Sequence, residues 1–196
     1  LGGGRGWAAV AGQSANVARA IVRPNLVPPV ADVAAVRAYR SRIDAVAPAD
    51  FTPLMTLYLT DETTPATIDA VKDHITAAKL YPAHATTNSA AGVRDPLALV
   101  PVLERMADHG LLLLVHGEVT DPAVDIFDRE AVFLDRVLTP PRDAVPELRV
   151  VLEHISSATG GQYVLDGPAH LGGPSTAPHT VLHRSALPVR GIRPPT

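Results

Sequence analysis

The strongest constraint in this sequence is a run of five aliphatic residues, Leu111 to Val115, closed by His116. A run that is apolar at every position predicts a strand buried on both faces, the signature of a parallel sheet. It is far short of the ~18 residues that would span a bilayer. Comparable runs recur on either side: Ala20 to Val22, Phe51 to Thr60, Thr76 to Tyr81 and Leu148 to His154. Between them lie helical patterns. Asp32 reads as the cap of a helix reaching Val46, with Val33, Val36, Tyr39 (or Arg40) and Ile43 on one face. Thr64-Pro65 opens a helix to about Ile75, and Asp95-Pro96 opens one from Leu97 to His109 that stops at Gly110. Phe127 to Leu138 reads as a helix ended by Pro140-Pro141. Beyond Leu148 to His154 the pattern decays. Gly160-Gly161 falls where a further helix is expected, the segment from Gly160 to Thr196 is expected to pack poorly, and Pro178 to His183 reads as a weak strand.

Strands alternating with helices of this length mean βαβ units and a parallel sheet. No GxGxxG follows the first strand and no GxxxxGK[ST] occurs, so neither nucleotide-binding doubly wound fold is indicated. The expectation is an α/β chain forming a partial (β/α)8 barrel of about five βα units. A full barrel needs about 250 residues, and this chain has 196.

Composition narrows the function. The net charge of −3 offers no basic excess to neutralise phosphates, which argues against a nucleic-acid reader. The absence of cysteine excludes disulfides, thiolate metal ligands and a thiol nucleophile, in keeping with a cytoplasmic protein. The opening LGGGRG has no basic stretch leading into an apolar one, so it reads as a truncated or divergent start rather than a signal peptide.

Three ionisable residues close consecutive apolar strands: Lys79, His116 and His154, spaced 37 and 38 residues apart. In a parallel barrel those strand ends share one rim, where active sites lie. Imidazoles ligate divalent metals, while a lysine becomes a ligand only if its amine takes up CO2 as a carbamate. The spacing leaves a metal site and hydrogen-bonded core histidines both open. His74, His109, His170, His179 and His183 read as surface residues. Asp128 reads as a helix cap, and Glu118, Asp121 and Asp125 as a solvated loop. Asn25, Thr86 and Thr87 taken alone are ordinary turn formers.

The segments RPNLVPPV, FTPLMTLYLTD, AAKLYPAHATTNS, LLLLVHGEVTDPAVDIFDREAVF and VVLEHISS, between about Val17 and Ser157, resemble dihydroorotases of the single-function bacterial type, members of the amidohydrolase superfamily of metal-dependent barrels. The resemblance implies a cytoplasmic, homodimeric enzyme interconverting N-carbamoyl-L-aspartate and L-dihydroorotate in pyrimidine synthesis. It implies two zinc ions bridged by carboxylated Lys79, with His116 and His154 as further ligands. It also implies that Asn25 and His116 contact the substrate and that Thr86 and Thr87 lie on a loop closing over it.

The departures are specific. The family's opening His-x-His strand with its arginine has no counterpart in LGGGRG, and its late aspartate, both ligand and proton shuttle, is unmatched before Thr196. No catalytic base is therefore assigned. Residues 158–176 match poorly, Arg23 and His84 replace residues more usual at their places, and GIRPPT resembles a family GIRPH stretch. On this basis residues 1–196 are expected to form one incomplete hydrolase barrel, with 1–16 a divergent start and 158–196 a poorly matching tail. The alternative is a non-catalytic barrel of the same lineage, and little or no turnover is expected of this chain alone.

Overall fold

A computed structural model describes residues 17–181. The elements in chain order are β1 (Arg19–Ile21), α1 (Val33–Asp44), β2 (Thr52–Leu54), β3 (Thr56–Tyr58), α2 (Pro65–Val71), β4 (Ala77–Leu80), a 3-10 turn (Pro96–Leu99), α3 (Val100–Asp108), β5 (Leu112–His116) and α4 (Arg129–Phe133). A π turn (Leu134–Leu138), α5 (Thr139–Ala144), β6 (Arg149–Glu153), α6 (Ala158–Leu165), β7 (Leu171–Gly172) and α7 (Ala177–Val181) complete the series. Strands β3 to β7 form one parallel sheet in sequential order, and β1 pairs with β2, also in parallel. Sequential parallel strands with helical crossovers are the wall of a (β/α) barrel, as the alternating pattern predicted.

The helices bury the faces that their periodicity selects: Val36, Tyr39 and Ile43 on α1, Ile68 and Val71 on α2, and Val102, Leu103 and Met106 on α3. Their starts follow the capping chemistry. The Asp32 carboxylate accepts from the Ala35 amide at 2.7 Å. Thr64 and Thr67 form a reciprocal capping box ahead of Pro65, and Asp95 accepts from the Leu97 amide at 3.0 Å.

Several expectations are corrected. The run from Phe51 to Thr60 is two strands, because its ladder changes partners midway. Thr52 N donates to Ala18 O on one side, whereas Leu59 N donates to Lys79 O on the other. The α2 helix ends at Val71, short of Ile75. The helix expected from Leu97 begins as a 3-10 turn, since Pro101 has no N–H to donate to Leu97. Pro140-Pro141 does not stop its helix, which continues to Ala144. The π turn absorbs the missing donors: the Thr139 amide and hydroxyl both reach the Leu134 carbonyl, the hydroxyl at 2.8 Å.

Secondary structure does not stop after β6 as expected, although of residues 161–181 only Leu171 is buried, in line with the expected poor packing. Ser157 caps α6 by accepting from Gly160 N at 3.0 Å, so a helix runs straight through Gly160-Gly161. Strand β7, which periodicity missed, joins the sheet through Val150 N donating to His170 O at 3.0 Å. Residues 178–181 are helical rather than extended, and Leu182 and His183 lie outside the described residues. No helix among the described residues is long and apolar enough to cross a membrane.

Candidate functional site

Register explains how the site assembles. Paired residues in a parallel sheet face the same side, and side chains two apart on a strand share a face. Tyr58 pairs with Lys79, Lys79 with Leu114, and His116 with Glu153. Tyr58, Lys79, Tyr81, His116 and Glu153 therefore look inward together. Alternation would send His154 to the opposite face. Instead its backbone turns left-handed, at φ +43°, and the ring comes back beside His116.

His116 Nδ1 and His154 Nε2 are 3.1 Å apart, with ring centroids at 4.8 Å. His116 Nε2 meets a Glu118 carboxylate oxygen at 3.1 Å, and Arg129 Nη1 donates to the other oxygen at 3.1 Å. An ionised carboxylate only accepts. The proton therefore sits on His116 Nε2, and the Nδ1 lone pair faces His154. Glu118 is thus part of the site, not of a solvated loop. Its carboxyl is held below the usual range first by the His116 hydrogen bond, then by Arg129. A sequence signal existed: Glu118 stands two residues beyond a strand-end histidine.

Lys79 is fully buried and its ammonium pairs with the Glu153 carboxylate. Burial pulls its pKa down from 10.5 to about 8, against the raising effect of Glu153. Burial, then the neighbouring His116 and Lys79, push His154 down to about 4, so it is neutral at pH 7. Tyr81 lies under the Lys79 ammonium, 5.0 Å from ring centre to Nζ, and 6.3 Å from the His116 ring. Burial raises its phenol to about 12, with Arg23 opposing.

Asn25 and the Thr86-Thr87 loop meet each other. Asn25 Nδ2 donates to Thr87 O at 3.0 Å, and Asn88 Nδ2 donates to Asn25 O at 3.1 Å. Ser89 fixes the loop internally by donating to Thr86 O at 2.6 Å. Tyr58 OH donates to Asn88 O at 3.3 Å and stacks 5.2 Å from Tyr81, which links the loop to the imidazoles. An open cleft of about 420 Å³ borders Glu118, between the segments that follow β4 and β5.

The other residues singled out in the sequence lie elsewhere or are revised. His74 bonds Arg37 at 2.8 Å and His109 bonds Asp69 at 2.7 Å, both away from the rim. His179 is exposed, yet its ring is 6.1 Å from that of His154, closer to the site than a surface assignment implies. Asp128 precedes α4 without a side-chain cap bond, while Asp121 and Asp125 accept from Ala123 N and Phe127 N as local turn residues.

Part of the donor set has the spacing of a divalent-metal site. Two nitrogens that share one tetrahedral zinc at 2.0–2.1 Å stand about 3.3 Å apart, and the His116–His154 separation fits. Lys79 adds an oxygen ligand only as a carbamate. Among the described residues no group of three His, Cys, Asp or Glu side chains is arranged to hold a metal ion.

Comparison with known proteins places the chain. No protein-family model matches it. The dihydroorotase of Allorhizobium ampelinum is 55% identical over 185 residues, 92% of this chain and 53% of that protein. That of Marinobacter nauticus is 58% identical over 179 residues, covering 90% and 52%. The solved dihydroorotase of Campylobacter jejuni superposes with a TM-score of 0.85 at 34% identity, covering 95% of this chain and 55% of its own. A Saccharomyces cerevisiae dihydroorotase in complex with 5-fluoroorotic acid gives 0.78 at 30% identity, covering 89% and 52%. A D-hydantoinase from a Bacillus species, 15% identical with a TM-score of 0.66, shares the fold alone. Over about nine-tenths of its length, then, this chain is a homologue of the dihydroorotases, and it spans about half the length of the curated relatives it matches.

Proposed function

We propose that the chain carries part of a zinc-dependent cyclic amidohydrolase site that interconverts N-carbamoyl-L-aspartate and L-dihydroorotate. The observation that carries this reading is the pair of imidazole nitrogens, His116 Nδ1 and His154 Nε2, 3.1 Å apart beside a buried lysine. His116, His154 and carboxylated Lys79 would hold metal. Held by these residues, zinc would lower the pKa of bound water and polarise an amide carbonyl.

The residues of the chain are suited to those parts. His154 keeps its ring neutral, and Glu118 holds the His116 proton on Nε2, so the His116 Nδ1 lone pair faces inward and accepts from His154 Nε2, whose own lone pair would face a metal once its proton moves to Nδ1. The Lys79 amine loses its proton near pH 8 and can then attack CO2, giving a carbamate and releasing a proton. The carbamate replaces a cation beside Glu153 with an anion, so that pairing must open. Asn25 and the Thr86-Thr87 loop, joined by a direct hydrogen bond, would close together over a ligand carboxylate. The 5-fluoroorotic acid bound to the yeast homologue supports an acidic ring as the ligand class.

A second reading is a non-catalytic barrel of this lineage. It is favoured by the small donor set among the described residues and by the closed Lys79–Glu153 pair. The test is metal content and dihydroorotate turnover by the 196-residue chain supplied with zinc and bicarbonate. Turnover abolished by His116→Ala and His154→Ala supports the amidohydrolase. Stoichiometric zinc without turnover supports the non-catalytic barrel, and failure to bind zinc overturns the metal reading.

A further inference from the structure

Resting on the reading of His116 and His154 as a metal pair, we propose that Arg129 and Glu130, adjacent at the start of α4, are positioning residues that set the two imidazoles relative to one another. Neither reaches an imidazole. Arg129 acts on His116 through Glu118: its Nη1 donates to one Glu118 oxygen while the other receives the His116 Nε2 proton. Arg129 is anchored in turn, since its carbonyl accepts from Val119 N at 3.4 Å.

Glu130 acts on the far side. Its carboxylate is buried, at 6% exposure, and satisfied by four donors. One oxygen accepts from Ser156 N and Oγ at 3.0 and 3.2 Å, the other from Ser157 N and Oγ at 2.9 and 2.5 Å. These serines begin two residues after His154, whose left-handed backbone needs an external restraint to persist. Ile155, between them, is clamped from the other direction by donating its N–H to Pro174 O and accepting from Ser175 Oγ.

A glycine makes room for the carboxylate: a β-carbon at Gly160 would lie 2.4 Å from Glu130 Oε1. Because Arg129 and Glu130 are consecutive, their Cα atoms are fixed at about 3.8 Å. One dipeptide thus holds both imidazoles in a single frame.

The test uses the full chain without metal, followed by Zn(II) titration. Arg129→Gln is expected to leave the circular dichroism unchanged, shift His116 from the Nε2–H tautomer toward a mixture in ¹⁵N NMR, and spare His154. Glu130→Gln is expected to move the His154 signals while His116 keeps its tautomer. Each should weaken Zn(II) binding by about ten- to a hundredfold, with exposed Glu104→Gln unchanged. If Glu130→Gln does not fold, Ser156→Ala, which removes one donor and keeps the carboxylate, tests the His154 arm. Variants that match the parent in Zn(II) affinity and imidazole signals overturn the proposal. A parent that binds no Zn(II), with imidazole signals that still move residue by residue, upholds the positioning role and removes the metal reading.

Discussion

His154 reaches His116 by leaving its strand: Glu153, not His154, is in register with His116, and a left-handed residue then brings the two rings within 3.1 Å. Such a conformation costs about 1–2 kcal/mol for a residue with a β-carbon. It is retained where the surrounding hydrogen bonds over-determine it.

The burial that comes with this placement has a pH signature. His154 should titrate near pH 4 in the metal-free protein, well below the usual 6.5. Between those values the unfolded chain binds the proton and the folded one does not, so stability should rise with pH from about 4 to 6.5 and level off above. Imidazole proton NMR, with urea unfolding at several pH values, checks this. A midpoint near 6.5 would contradict it.

Lys79 and Glu153 should behave as a coupled pair. Lys79→Met strands a carboxylate whose side chain is 18% exposed. The loss should be about 2 kcal/mol, less than the ~3–5 for a fully buried broken pair because solvent reaches Glu153. Adding Glu153→Gln should recover most of it. Urea midpoints of the single and double variants close the cycle, and simple additivity would refute the coupling.

Gly160 and Gly161 are neighbours in one helix with opposite surroundings. Gly160→Ala drives a β-carbon to 2.4 Å from Glu130 Oε1 and 3.0 Å from Ile155 Cγ2, and should destabilise by about 1–3 kcal/mol. Gly161→Ala meets nothing within 4 Å and should stabilise by up to about 1 kcal/mol through helix propensity. Thermal melts of the two variants should move in opposite directions.

Thr139→Val removes the hydroxyl that bonds the Leu134 carbonyl at 2.8 Å and Tyr163 OH at 3.1 Å. The expected loss is about 1 kcal/mol, with faster amide exchange in the π turn as the local readout.

The sheet was legible because burial on both faces writes itself as unbroken apolar runs, Leu111 to Val115 above all. The rim positions of Lys79 and His116 followed from strand ends alone. Helix α6 is not legible locally because its two glycines count against a helix. At Gly160 the decisive term is the approach of a carboxylate from an element 30 residues earlier, which no local propensity carries. The same holds for Glu118 and Arg129, whose hydrogen bond depends on how a loop folds back on α4. The split in the run from Phe51 to Thr60 was invisible because both halves are equally extended and only their neighbours differ.

The π turn at Leu134–Leu138 has a geometric consequence of its own. It takes up one more residue than regular helix, and one residue is about 100° of rotation. Phe133 on one side and Pro141 on the other both face the core because of that offset. Removing one residue within the turn would let a regular helix close with Phe133 and Pro141 still on the core side, whereas regularising the turn at its present length would swing α5 by about a quarter turn, carrying Pro141 off the core and Arg142 away from the Tyr163 hydroxyl, 2.5 Å from it now. The segment is a gear with one extra tooth, and its length is set by what lies at both ends.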